Sequence, residues 1–248
     1  MAEEKRFAKE REKIESFSDF SNVYNFKKDF KYSYKTDAGL TEEIVREISA
    51  QKDEPEWMLQ ARLKSLELFY KIDYPTWGPD ISELQMDNIV TYVRPDAGLK
   101  ADWNEVPEDI KDTFDRLGIP EAEKTSLAGV GAQYDSEVVY HSIQEELVKQ
   151  GVVYTDFDTA LKEHEDIVRK HFMKLIPPTD HKFAALHGAV WSGGSFVYVP
   201  EGVQVDIPLQ SYFRLNAPGA GQFEHTMIIV EKGARVHFIE GCSAPKYN

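Results

Sequence analysis

From Pro55 onward, Leu59, Leu63, Leu66 and Tyr70 recur at helical spacing until the turn-rich run Tyr74-Pro75-Thr76-Trp77-Gly78-Pro79 stops the pattern. The opposite face is more polar, so the spacing predicts a helix packed mainly on one side. Just upstream, Thr41 precedes Glu42 and Glu43 and then Ile44, Val45 and Ile48, the order of an N-cap, an acidic first turn and an apolar stripe. Further helices are predicted at about 106–117, 136–150 and 158–173, each set off by Gly or Pro. The stretches 17–35 and 80–95 show no readable period. After Pro178 the pattern shortens to β-rich runs at 195–199, 203–207, 211–215, 226–230 and 235–239, most of them separated by Gly or Pro. Val199-Pro200-Glu201-Gly202-Val203-Gln204-Val205-Asp206-Ile207 is echoed by Val230-Glu231-Lys232-Gly233-Ala234-Arg235-Val236-His237-Phe238, 31 residues on. Such a period predicts stacked turns of a β-solenoid. An antiparallel sandwich or a cupin-like barrel fits two copies equally well.

With 248 residues, 42% of them apolar, the chain is long enough to bury a core as one large domain or two smaller ones. No run approaches the roughly 20 apolar residues that cross a bilayer, and Met1 to Lys13 is charged rather than a basic stretch leading into an apolar one. A cytoplasmic protein is expected. The net charge of -14 argues against nucleic acid as the main partner, because phosphate binding needs clustered Lys and Arg. Residues 181–248 hold five cationic and five acidic side chains, so the excess lies entirely upstream. That shift marks a change of architecture near Pro177-Pro178.

Several candidate sites fail on geometry. His164 and His171 share a helical face, but seven residues of rise separate their backbones by roughly 10 Å, too far for comfortable ligation of one metal. His164-Glu165-Asp166-Ile167-Val168 has Val where the zinc-protease motif needs its second His. Gly129-Val130-Gly131-Ala132-Gln133-Tyr134 lacks the third glycine of a dinucleotide loop, and no Walker-type sequence occurs; the chain is not expected to bind ATP by itself. His181, His187, His225 and His237 carry no ligand spacing and read as structural or surface residues. The single cysteine, Cys242, rules out an intrachain disulfide and any complete four-cysteine cage. It stands in Gly241-Cys242-Ser243-Ala244-Pro245, just after a predicted strand, where a thiol can be approached, although a lone cysteine is more often an inert core residue. Within Tyr212-Phe213-Arg214-Leu215-Asn216, strand alternation puts Arg214 and Asn216 on one face and Phe213 and Leu215 on the other.

Ser211-Tyr212-Phe213-Arg214-Leu215-Asn216, Gly221-Gln222-Phe223-Glu224-His225-Thr226 and Ile239-Glu240-Gly241-Cys242-Ser243-Ala244-Pro245 together resemble the SufB family of the SUF iron-sulfur assembly system. Glu56-Trp57-Met58-Leu59, Val190-Trp191-Ser192-Gly193-Gly194-Ser195 and Val199-Pro200-Glu201-Gly202-Val203 carry the same resemblance upstream, so that it runs from about residue 15 onward. It implies an α+β fold, with a mainly helical region over residues 1–178 and the opening rungs of a right-handed parallel β-helix over 179–248. It implies a scaffold rather than an enzyme, with ATPase and desulfurase activities belonging to the partners SufC and a cysteine desulfurase, and with SufD and a SufE or SufU transfer protein as further partners. Cys242 matches the family cysteine that accepts sulfur as a persulfide, and Arg214 and Asn216 match polar residues along a sulfur path. An iron-sulfur cluster is expected only transiently in the complete complex, not on this chain alone, and a reduced flavin in that complex is left open. Family members continue past this point, so the break at Asn248 reads as an intein junction or a truncation, with nothing to choose between them.

Overall fold

The computed structural model describes residues 25–29, 31–117 and 127–247. Residues 1–24, into which the resemblance extends, lie outside them. Thr41 caps helix α1 (Glu42–Gln51): its Oγ1 accepts the Ile44 N–H at 3.2 Å, and Ile44, Val45 and Ile48 turn inward. Helix α2 (Glu56–Lys71) follows, and its buried face is Met58, Arg62, Ser65, Leu66 and Phe69. That face is rotated from the leucine stripe, and Tyr70 is exposed. A lone arginine on the apolar side misdirects the hydropathy pattern.

Helix α3 (Glu108–Arg116) lies within the predicted 106–117. The helix predicted at 136–150 is corrected. Strands β3 (Gly129–Tyr134) and β4 (Glu137–Ile143) form a hairpin, and only α4 (Glu145–Lys149) is helical. Val138, Val139 and Tyr140 fit either period, and Asp135 at φ 53° supplies the reversed turn that decides for the hairpin. The helix predicted at 158–173 divides into α5 (Phe157–Glu163) and α6 (Glu165–His171) at His164, whose φ of -129° and ψ of 36° leave the helical region. Helix α7 (Lys182–Val190) precedes the strand-rich part. Short strands β1 (Tyr32–Lys35) and β2 (Val93–Pro95) pair antiparallel, and β5 (Val153–Asp156) precedes α5. The expectation of a mainly helical region up to residue 178 is therefore met only in part, since β1 to β5 all lie within it.

From Ser195 onward the chain alternates between two sheets. Strand β6 (Ser195–Val199) pairs parallel with β8 (Met227–Val230), and β7 (Leu209–Arg214) pairs parallel with β9 (Phe238–Ser243). Partners Phe196 and Met227 stand 31 residues apart, as do Gln204 and Arg235 in an isolated bridge, while Leu209 and Phe238 stand 29 apart. The faint repeat thus stacks on itself with parallel pairing, which an antiparallel sandwich would not give. The expected strand at 203–207 is only that bridge, and the last strand begins at Phe238 rather than near 235. The sheets run β4-β3-β7-β9 and β5-β6-β8, with β3 parallel to β7, so strands from before Pro177 complete both.

Between the two sheets lie Tyr154, Val197, Val199, Val205 and Leu209, and a second core joins Met58, Phe157, Trp191 and Phe196. Full burial of each large apolar side chain contributes roughly 1.5–3 kcal/mol. Gly194 sits where the chain enters β6. Its φ is +96°, and a Cβ built there would meet backbone atoms of His225 at 2.4–2.5 Å. Gly194→Ala is expected to lose about 2–5 kcal/mol in urea unfolding, combining left-handed strain with displaced backbone. A loss under about 1 kcal/mol would contradict this close approach.

Candidate functional site

Alternation along β7 gives its two faces different tasks. Leu209, Ser211 and Phe213 turn toward the other sheet. The Ser211 hydroxyl lies 2.7 Å from the Tyr154 hydroxyl and 2.6 Å from that of Ser195. Gly131 lets this cluster close, since a Cβ there would meet the Tyr154 oxygen at 2.9 Å. His141 of β4 borders the same small interior cavity, and burial lowers its pKa to about 4. Tyr212 and Arg214 turn the other way; Tyr212 packs on the core of Trp103 and Phe114.

Strand β9 copies this arrangement in register. Phe238 aligns with Leu209, Glu240 with Ser211, Cys242 with Phe213 and Ser243 with Arg214. In-register residues of neighbouring strands share a face, so Cys242 belongs to the inner column of Ser211 and Phe213. Among the described residues β9 is the last strand of its sheet, and Cys242 is exposed. Glu240, one position along the same column, accepts a hydrogen bond from the Thr226 hydroxyl at 2.9 Å.

Arg214 and Asn216 are both buried, and the register puts Arg214 on the face opposite Cys242. The Arg214 guanidinium reaches Ser243 Oγ at 3.3 Å, donates to the Phe26 carbonyl at 2.6 Å and lies 4.4 Å over the Phe26 ring. Burial lowers its pKa, opposed by Tyr134, Tyr247 and Asp135. Asn216 Nδ2 donates to the Lys28 carbonyl at 2.8 Å. Beneath both stands Asp135, which the sequence did not single out. It accepts the N–H groups of Asn216 and Ala217 at 2.6 and 2.9 Å, while its own N–H donates to the Arg214 carbonyl at 2.8 Å. Burial raises its pKa to about 6, against the hydrogen bonds from Asn216 and Ala217. The legible signal was Asp135-Ser136 between two β-rich runs, a hairpin turn pattern.

The histidines divide by role. His181 caps α7 through its side chain, and His164 stacks on Phe196 at an interplanar angle of 9°. His187 Nε2 and His225 Nδ1 are 2.8 Å apart, with Phe157, Phe172 and Trp191 packed against the His225 ring. Burial lowers their pKa values to about 4 and about 3, reinforced by the nearby Arg62. Among the described residues no group of three or more His, Cys, Asp or Glu side chains is placed to hold a metal, and no helix is long and apolar enough to cross a membrane.

Parallel stacking of the repeat describes the fold, and comparison with known proteins supplies the family. A family model described as SufBD protein N-terminal region matches residues 41–211. The chain belongs to the SufBD family. It is 60% identical over 214 residues to the iron-sulfur cluster assembly protein SufB of Bacillus subtilis (strain 168), an alignment covering 86% of this chain and 46% of that relative. It is 56% identical over 224 residues to an iron-sulfur cluster assembly SufBD family protein of Staphylococcus aureus (strain MRSA252), covering 90% of this chain and 48% of the relative. The chain therefore spans about half the length of these relatives.

Proposed function

We propose that this chain takes part in iron-sulfur cluster assembly as a non-catalytic scaffold, and that Cys242 accepts sulfane sulfur from a donor persulfide. The observation that carries the reading is the position of Cys242, the single cysteine, on β9 in register with the inner column of Ser211 and Phe213. The thiolate, rather than the thiol, is the attacking species. It forms a bond to the terminal sulfur of the donor; the donor's S–S bond breaks, and the donor cysteine leaves as thiolate. The product is a Cys242 persulfide, with no net oxidant required.

On this reading the stacked pairs β6/β8 and β7/β9 are the opening rungs of a right-handed parallel β-helix, with residues 1–178 as the preceding region and 179–248 as the start of the core. The partners are a cysteine desulfurase with SufE or SufU, the ATPase SufC, and SufD. Any cluster is built in the complete complex, with or without a reduced flavin, because one thiolate cannot replace the roughly four ligands a [4Fe–4S] centre takes. Arg214 and Asn216 belong to the site as residues that shape the surroundings of Cys242.

In the full-length protein with its desulfurase, Cys242→Ser is expected to abolish persulfide labelling and cluster production, while Arg214→Ala slows both without unfolding the protein. Mass spectrometry of the trapped persulfide reads the result. Normal labelling in a folded Cys242→Ser variant would leave only an interaction module with no sulfur chemistry of its own.

A further inference from the structure

The segment 25–28 joins three parts of the fold that are far apart in sequence. On one side, Lys28 Nζ donates to the Asp109 carbonyl of α3 at 2.8 Å and to Asp112 Oδ2 at 3.3 Å. Along its middle, the Phe26 carbonyl accepts from Arg214 at 2.6 Å, and the Lys28 carbonyl accepts from Asn216 Nδ2 at 2.8 Å. On the other side, Asn25 Oδ1 accepts the Lys246 N–H at 2.6 Å, and Lys27 Nζ lies 4.5 Å over the Tyr247 ring. The Tyr247 hydroxyl closes the circuit by donating to the Asn216 carbonyl.

We propose that segment 25–28 is a strap that positions the Cys242 end of β9 for sulfur transfer, with Asn25 and Phe26 as positioning residues and with Arg214 and Asn216 as its anchors. The inference rests on Cys242 as the sulfur acceptor. Ser243, directly after the cysteine, is held by the Arg214 guanidinium at 3.3 Å and by the Leu215 N–H to its carbonyl at 3.0 Å. Three residues further on, Lys246 is held by the strap itself. The strand end bearing the thiol is thereby fixed on both sides of Ala244-Pro245. Attack on a donor persulfide needs the incoming sulfur in line with the breaking S–S bond, so holding this strand end in one geometry favours transfer from a docked protein donor. A freely diffusing small disulfide finds its own approach to an exposed thiol and gains little from it. This accounts for two buried polar residues near Cys242 that face away from it: they act through the strap.

The test compares the wild-type chain with Asn25→Ala and with the Asn25→Ala/Phe26→Ala double variant. Cys242 is the single cysteine of this chain, so sulfur carried on a cysteine of the chain reports on it. Amide exchange at Lys246 is expected to quicken at least tenfold and desulfurase-driven labelling to slow about tenfold. Reaction with a small chromogenic disulfide should stay within twofold. Asn25→Asp, which keeps an acceptor oxygen for the Lys246 N–H, should restore both affected rates. Unchanged exchange at Lys246, or faster exchange with labelling at the wild-type rate, would overturn the strap. If the wild-type chain accepts no sulfur at all, the reading of Cys242 falls, while the exchange measurement still decides whether the strap holds the strand end.

Discussion

Arg62→Ala is expected to lose about 3–5 kcal/mol of stability, the range found when one partner of a buried ion pair is removed. Arg62 is fully buried in α2, and its guanidinium donates to both carboxylate oxygens of Glu54, at 2.7 and 2.6 Å. It also donates to the carbonyls of Ala189 and Trp191 at 3.1 and 2.9 Å, and it lies 4.4 Å over the Trp191 ring. One side chain thus ties α2, the turn before it and the end of α7. Truncation strands a carboxylate whose side chain is 1% exposed and leaves two carbonyls without their donor. Replacing both charges, as in Arg62→Met/Glu54→Gln, should cost far less than the single change, because no buried charge is left alone. Urea unfolding of the three variants measures the difference. A single-variant loss below 1 kcal/mol, or a double variant no better than Arg62→Ala, would sink the argument.

Acid should unfold the protein through its histidines. His141, His187 and His225 have pKa values lowered to about 4, about 4 and about 3, from an ordinary value of 6.5, mainly because burial penalises the imidazolium. Between pH 6.5 and 4 the unfolded chain binds these protons and the native chain does not, so stability is full above pH 6.5 and falls as pH is lowered through that window. Asp135, raised to about 6, acts with the opposite sign, as do the raised Asp156 and Glu224, since the native state holds those protons more tightly. The histidine contribution is isolated by His187→Phe/His225→Phe. Each proton bound only by the unfolded state changes stability by about 1.4 kcal/mol per pH unit. Between pH 6.5 and 5 the double variant should therefore lose less stability than wild type by a margin on the order of 3 kcal/mol. Parallel pH profiles for the two proteins would refute the assignment.

The sequence determined α1, its Thr41 cap and the positions of α2 and α3, because capping chemistry and 3.6-residue periodicity act within a few residues of chain. It determined the strands near 195–199, 209–214 and 227–230, and through the 31-residue echo it pointed to stacking of one on the next. It also isolated Cys242 as the thiol to consider. Tertiary structure decided which face of α2 is buried, since the Glu54 carboxylate that makes burial of Arg62 tolerable is contributed by the turn before the helix. It decided that 137–143 is a strand, because β3 offers it a partner and Asp135 a turn. Alternation alone paired Arg214 with Asn216 and said nothing of Cys242; the parallel register put the cysteine on the other face, beside Phe213. The carbonyls that accept from Arg214 and Asn216 lie 188 residues upstream, in a segment with no hydrophobic period of its own. Local patterns encode elements and their capping, whereas the pairing of a buried guanidinium with a distant carbonyl is fixed only when packing brings the two together.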